Sequence, residues 1–267
     1  MDAQSVIDRI DEAYEKTFKE KPRKYLGASI VGNPCDALLS FNLRGFPNDP
    51  PDARLQRVFR MGHILEDEVV KDLKKAGLSI FEVDGVTGKQ HTYSALGGHI
   101  VCHTDGLAED ENGNVMVLEI KSMNEASHKK FLSKGVRISH PQYYGQVQLE
   151  MGLSDIHSTL FVAICKNNSM YGVEIVEFDE IEFAFIRERV QRVIDGDVEK
   201  ISSDKTDWRC KGCFKRSVCW DGKEPKVECA TCKHATATHG KEWYCNAKDT
   251  PAVNPCDKYE IWRPRDR

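Results

Sequence analysis

Apolar residues recur along this chain with two distinct periods. Between residues 4 and 20, Val6, Ile10, Ala13, Tyr14 and Phe18 fall at helical spacing. "NPCDALLSFNLRGFP" reads as a second, short helix, opened by Asn33 or Pro34 and stopped near Gly45. "ARLQRVFRMGHILEDEVVKDLKKAGL" then aligns Leu55, Val58, Phe59, Gly62, Leu65, Val69 and Leu73 on one stripe, so it predicts a long helix ended by Gly77. A period of two takes over around 79–83, 97–105, 114–121, 157–165 and 171–177, with "EDENGN" as the turn between the second and third of these strands. "SHPQYYGQVQLEMG" has a proline at its start and a glycine at its stop, which predicts a helix, and 179–195 is amphipathic. The order predicts an α/β fold, a mixed central β-sheet flanked by helices.

The pattern breaks at "ISSDKTD", Ile201 to Asp207, beyond which aliphatic residues are scarce and Cys, Lys and Gly abundant. That divides the chain into a core, 1–205, a cysteine loop, 206–222, and a small cysteine-rich module, 223–267. So little apolar area does not fold unaided, and metal is the expected staple. The ten cysteines are uneven: seven lie between Cys210 and Cys256. In a reducing compartment, C-x-x-C spacing favours metal over disulfides. The formal charge of −4 excludes a global basic field but not a local basic groove. No apolar run approaches the roughly 18 residues of a membrane span. The acidic, amphipathic N-terminus is unlike a signal peptide, so a cytoplasmic protein is expected, without membrane partners.

"VMVLEIKSMNE" places Glu119 and Lys121 two positions apart in an apolar strand, hence on one face. One reading is an edge strand with an exposed ion pair, worth only about 0–1 kcal/mol. The other is a catalytic strand. A hairpin turning at Asn112-Gly113 would bring Asp105 to the same end as Glu119. Two carboxylates and a lysine suit a hard divalent cation, Mg²⁺ or Mn²⁺, together with a phosphate. The carboxylates and the Ile120 carbonyl would hold the metal, and Lys121 would position water or stabilise developing charge.

Asp105 with Glu119-x-Lys121 resembles the PD-(D/E)xK nuclease superfamily, whose core is restriction-endonuclease-like. RecB-like members place G-x-x-x-E on a preceding helix, matched by Gly62 and Glu66. They also place a Gln on a following helix, matched by Gln146. The Y-Y-x-Q-x-Q segment of phage-type recombination exonucleases is matched by Tyr143, Tyr144, Gln146 and Gln148, and "HTDG" fits the usual D-G. The resemblance covers roughly residues 25–200. It implies a Mg²⁺- or Mn²⁺-dependent deoxyribonuclease, an exonuclease of recombination or end processing, catalysed by Glu66, Asp105, Glu119, Lys121 and Gln146. His103 and Tyr144 are accessory candidates. A phage-encoded member would work in the host cytoplasm. The rival is a non-catalytic DNA-binding scaffold on the same fold.

Cys210, Cys213 and Cys219 form C-x2-C-x5-C, one ligand short of four, and Cys35 is the remaining candidate. An upstream cysteine with that spacing resembles the iron–sulfur nucleases, AddB-type enzymes and the exonucleases of CRISPR adaptation. The resemblance implies a [4Fe–4S] cluster tying position 35 to position 210; zinc at the same cysteines stays open. Cys229, Cys232, Cys245 and Cys256, C-x2-C-x12-C-x10-C, have zinc-ribbon spacing and predict Zn²⁺. Lys233, Lys241 and the terminal "WRPRDR" could add a contact surface. Cys102 and Cys165, in apolar strands, read as core residues.

DNA is the expected partner. Basic residues gather at Lys121, Lys129, Lys130, Lys134 and Arg137, at Arg209, Lys211, Lys215 and Arg216, and at Arg54, Arg57 and Arg60. Tyr143, Tyr144, Phe214 and Trp208 could stack on unpaired bases, or simply pack. A recombination or single-strand-binding protein as a further partner, and a homo-oligomer, are both compatible with the chain. No Walker A motif is present, so ATPase activity would belong to a partner.

Overall fold

A computed structural model describes residues 2–20, 23–240 and 242–266. Lys241 and the last arginine of "WRPRDR", Arg267, lie outside the described residues. The first helix, α1 (Ala3–Thr17), starts where the Asp2 side chain accepts a hydrogen bond from the Ser5 amide at 2.9 Å. It ends short of the expected residue 20, because Phe18 already has extended backbone. Strand β1 (Leu26–Gly27) and helices α2 (Ala28–Val31) and α3 (Asp36–Leu43) follow.

The long helix α4 (Ala53–Lys75) is capped by Asp52, whose carboxylate accepts from the Leu55 amide at 2.6 Å. Its end lies just before Gly77, which takes φ +92°. Only part of the expected stripe is covered. Val69 is buried and Leu65 and Leu73 pack partly against the sheet, while Val58 and Phe59 remain exposed.

Two sheets occupy the core, where the sequence pattern suggested one. The larger has the order β2-β5-β6-β7-β8, from β2 (Ser79–Phe81), β5 (Gly106–Glu109), β6 (Val115–Met123), β7 (Ser158–Cys165) and β8 (Tyr171–Glu177). It is mixed: β6 and β7 run parallel and the other neighbours antiparallel. The smaller has the order β1-β4-β3, from β3 (Thr92–Ala95) and β4 (Ile100–His103). The expected strand 97–105 is shorter, β4 alone, and the strand that pairs with β6 is a separate one, β5, in the other sheet. The chain crosses between them at Thr104 and Asp105. Gly106 makes the crossing feasible, because a Cβ there would stand 2.9 Å from the Phe81 carbonyl oxygen.

β6 is not an edge strand; it lies between β5 and β7. Alternation sends Leu118 and Ile120 into one apolar cluster with Val69 and Val70 of α4. Val117 and Met123 enter another on the opposite face. Burial of both faces explains the near-continuous apolar run of β7, where every residue from Thr159 onward is buried.

The second face is covered by α5 (Glu125–Ser139) and α6 (Pro141–Ser154). α6 is the central helix: its residues from Tyr144 to Met151 are all buried, with Leu149 turned to one cluster and Val147 and Met151 to another. It approaches α2 closely, and a Cβ on Gly145 would stand 3.2 Å from the Gly32 Cα. Helix α7 (Glu180–Asp195), capped by Asp179, packs on α3 and α6.

Beyond residue 201, α8 (Trp208–Lys211) and α9 (Arg216–Trp220) carry the cysteine loop. A small antiparallel sheet, β11-β10-β9, follows from β9 (Ala235–Ala237), β10 (Trp243–Cys245) and β11 (Thr250–Pro251). This segment shares its core with α3 and α7. Trp262 packs edge-on against Phe41 and Phe46, with ring centroids 5.4 and 6.2 Å away. Arg44, at the end of α3, donates to the carbonyls of Ala230, Cys232 and Ala235. Its guanidinium lies against the rings of Trp243 and Trp262. Among the described residues no helix is long and apolar enough to cross a membrane.

Candidate active site

The hairpin between β5 and β6 is tied at its turn by Asp110, whose carboxylate accepts from the amides of Asn112 and Asn114, each at 2.8 Å. Gly113 takes the positive φ that the turn requires. Register places Gly106 opposite Leu118, so Asp105 stands at the level of Glu119 and Ile120. The Ile120 amide donates to Asp105 Oδ2 at 2.8 Å. Of the Ile120 groups, it is thus the amide that the structure ties to Asp105.

Glu119 and Lys121 share the face of β6 that looks toward α6. Glu119 is 1% exposed, and Lys121 Nζ contacts its Oε1 directly. Gln146, from α6, donates to the same oxygen at 2.7 Å. Glu66, half-buried on α4, hydrogen-bonds the Asp105 side chain and has His63 Nδ1 at 3.7 Å. Gly62, one turn earlier, faces β6, and a Cβ there would make only ordinary contact, 3.8 Å from Ser122 Oγ, so packing alone does not require the glycine. Five residues expected from the sequence therefore meet at one end of the hairpin: Glu66, Asp105, Glu119, Lys121 and Gln146.

Burial crowds three carboxyl groups together and drives their proton affinities up. Desolvation, reinforced by Asp105, raises Glu66 to about 7. Desolvation, again with Asp105, raises Glu119 to about 8. Asp105 rises through desolvation, although Lys121 opposes it. Lys121 loses proton affinity by burial but gains more from Glu119 and Asp105, so it is held as a cation. Such a set has an excess of negative charge that a cation would relieve. Glu119 Oε2 is buried with no hydrogen-bond partner, an atom suited to a metal. As the side chains stand, no three His, Cys, Asp or Glu among the described residues are arranged to hold a metal ion.

Glu150 was not evident as a site residue. It is fully buried on α6, accepts from Gln146 Nε2 at 2.9 Å through Oε1, and leaves Oε2 unpaired. Its proton affinity is raised by desolvation and then by Glu119. The signal was its i+4 spacing from Gln146, which puts both on one face of the helix.

The accessory candidates lie elsewhere. His103 is on the smaller sheet, with Nδ1 2.9 Å from Thr92 Oγ1 and its ring near Tyr25. The Tyr144 hydroxyl donates to Asp179, and its ring lies under Arg137. Tyr143 is the tyrosine near the carboxylates: Lys121 Nζ sits 5.2 Å from its ring centroid, and His140 stacks on it at 5.3 Å. Gln148 holds the chain between β8 and α7, donating to the Glu177 carbonyl and accepting from the Asp179 amide.

None of the ten cysteines is in a disulfide. Cys35, Cys210, Cys213 and Cys219, drawn from two distant stretches, line one cavity of about 700 Å³. Burial raises the thiols of Cys35 and Cys213, and pushes Cys219 to about 12. Thiols so placed ionise readily only where a bound cation stabilises the thiolate. Cys229, Cys232, Cys245 and Cys256 line a second cavity of about 120 Å³. Cys102 and Cys165 are fully buried in β4 and β7.

No protein-family model and no curated protein matches the chain. Solved structures with a similar course include an alkaline exonuclease from Laribacter hongkongensis, at 19% identity and a TM-score of 0.47, over 70% of this chain and 90% of that one. The same exonuclease in complex with dAMP aligns at 21% identity and a TM-score of 0.46, over 64% and 86%. A phage related exonuclease from Haemophilus somnus aligns at 16% identity and a TM-score of 0.44, over 62% and 78%.

Proposed function

We propose that this chain is a metal-dependent deoxyribonuclease of the RecB-like branch of the PD-(D/E)xK superfamily, acting as an exonuclease on DNA ends. The observation that carries the reading is that Glu66 meets Asp105 while Lys121 and Gln146 meet Glu119 Oε1, beside a buried Glu119 Oε2 that lacks a partner. Glu66, Asp105, Glu119 and the Ile120 carbonyl would hold Mg²⁺ or Mn²⁺. Bound there, the ion would acidify a water and offset charge on the scissile phosphate. Lys121, fixed in a rigid strand and held cationic, orients that water or stabilises the same charge. Gln146 spends its amide protons on Glu119 and Glu150, which fixes how its carbonyl oxygen is presented.

By the chemistry of their thiols we assign two further groups to the cysteine sets. Cys35, Cys210, Cys213 and Cys219 would hold a [4Fe–4S] cluster, whose soft iron suits thiolates. It would clamp the loop 206–222 to the start of the core 1–205. Cys229, Cys232, Cys245 and Cys256 would hold Zn²⁺ in the module 223–267. Their chemistry supports both assignments, and their roles would be structural.

The deciding experiment incubates end-labelled linear DNA with the protein and Mg²⁺ or Mn²⁺, beside a circular control. Linear DNA is expected to be degraded and circular DNA spared. Lys121→Ala should abolish cleavage while keeping DNA affinity. Full Mg²⁺-dependent cleavage by that variant would overturn the assignment.

A further inference from the structure

The cavity beside Cys35, Cys210, Cys213 and Cys219 is wider than four thiols require, and its outer wall is aromatic. Trp208, at the start of α8, is 79% exposed; Phe59 of α4 is 46% exposed and Phe214 of the loop 37%. The Phe59 and Phe214 rings are neighbours, with centroids 6.4 Å apart. An exposed tryptophan beside two half-open phenylalanines is costly in water unless something covers it. The wall is also charged in one sense. Among the described residues five cations line the cavity, Arg23, Lys200, Arg209, Lys215 and Arg216, against one carboxylate, Asp49. Arg209 is paired with Asp207, Lys200 with Asp266, and Lys215 is buried on the Phe46 carbonyl, which leaves Arg23 and Arg216 without an acidic partner among the described residues. Asp49 is already engaged by the Ser217 amide at 3.0 Å. This excess stands on a chain whose net charge is −4.

Two elements join this wall to the carboxylates. Phe59 and Glu66 lie on the same face of α4, seven residues and so about 10 Å apart along the axis. Gln142, which lines the cavity, precedes Gln146 by one turn of α6, about 6 Å. Those spans match two or three nucleotides of a stacked strand at roughly 3.4 Å each.

From this geometry we infer that the groove formed by Phe59, Trp208 and Phe214, flanked by Arg23, Arg209 and Arg216, binds single-stranded DNA. It holds the strand by stacking its bases two or three nucleotides from the scissile phosphate. The inference rests on the nuclease reading for its placement of that phosphate. Rings with a π-face accept every base, and the cations track the backbone, so binding is independent of sequence. A blunt duplex, whose bases are stacked on one another, cannot use the rings. The groove therefore makes a single-stranded end the preferred substrate.

The test is fluorescence anisotropy of the full chain with a labelled oligothymidine, and with a blunt duplex, in EDTA so that no cleavage occurs. Trp208→Ala is expected to weaken oligothymidine binding by about 5- to 150-fold, the range of one stacked base, with a smaller loss on the duplex. Its salt slope should not change, whereas Arg23→Ala should reduce the slope by about 0.7. Trp208→Phe, which keeps a ring and leaves the cysteine loop undisturbed, should retain most of the affinity. Equal loss in Trp208→Ala and Trp208→Phe, or no loss in either, would overturn the inference, and the second result would leave the groove as a surface for another protein. If the wild type binds the oligonucleotide through Trp208 yet cleaves no DNA with Mg²⁺, the nuclease reading fails and the groove stands.

Discussion

Gln146 on α6 reaches Glu119 on β6 at 2.7 Å, across 27 positions of sequence, and its same amide nitrogen bonds Glu150 at 2.9 Å. Both protons of that amide are therefore committed to carboxyl groups, and its orientation is fixed from below. Replacing Glu150 by Leu removes one of the two acceptors. A hydrogen bond of this kind is worth roughly 1 kcal/mol, so kcat should fall about fivefold while KM is little changed. Stability should hold or rise, because a buried carboxyl with an unpaired oxygen is replaced by a hydrocarbon of similar volume. Glu150→Gln, whose amide oxygen still accepts, should restore most of the rate. Steady-state kinetics and denaturant melts on the two variants check both halves.

A pH dependence follows from the same crowding. Glu66 is raised to about 7 and Glu119 to about 8 by desolvation first. The folded protein then holds protons that the unfolded chain has released, between the ordinary carboxylate range and those values. Stability without metal must fall as pH rises through that window. In EDTA the melting temperature should drop from about pH 5 to about pH 8, and Mg²⁺ should raise it most at the upper end. Glu119→Gln should flatten the drop. A melting temperature in EDTA that climbs over the same range would contradict the proton linkage.

Arg44 predicts how the C-terminal module is fastened. It is 2% exposed, donates to three carbonyls of the module and lies between two tryptophans, 5.0 and 4.7 Å from their ring centroids. Arg44→Lys keeps the charge but not the fork or the flat face that fill this site. A loss on the order of 3 kcal/mol is expected, since carbonyls are left unpaired in a buried place. Limited proteolysis should then cut first within 223–267, with the core up to residue 205 surviving longer.

Strong periodicity and local capping made much of this legible in the chain. The α4 stripe with Gly77 behind it, and the apolar alternation of β6, carried enough signal alone, whereas the Asp52 cap ahead of α4 was not read from the chain. The ordered set from Glu66 to Gln146 named residues that the fold brings together. What escaped was set by tertiary partners. Helix α5 was hidden because Lys129, Lys130 and Lys134 read as a basic patch. Yet Asn124 caps it, accepting from the Ser127 amide at 2.8 Å, and His128 and Phe131 bury one side. The break between β4 and β5 at Thr104 and Asp105 was invisible because both strands keep the same alternation across it. Tyr143 and Tyr144 are adjacent in sequence but differ by about 100° around the helix, so the motif could not say which one faces Lys121.

The cysteine sets give the last prediction, and it turns on which thiols share a cavity. Cys35 lies 175 positions before Cys210 in the chain, yet both line the same space with Cys213 and Cys219. The other four thiols line a separate one. Two independent sites should therefore load and empty separately. Protein purified without oxygen should be brown and contain both iron with sulfide and one zinc per chain. Cys35→Ser should remove the iron and colour and leave the zinc, whereas Cys245→Ser should remove the zinc and leave the colour. If iron clamps the loop 206–222 to the start of the core as proposed, Cys35→Ser should also lower the melting temperature and weaken oligothymidine binding at Trp208. Colourless wild-type protein with two zinc ions would assign zinc to the first set as well. Loss of both metals in either single variant would show that the two cavities do not act independently.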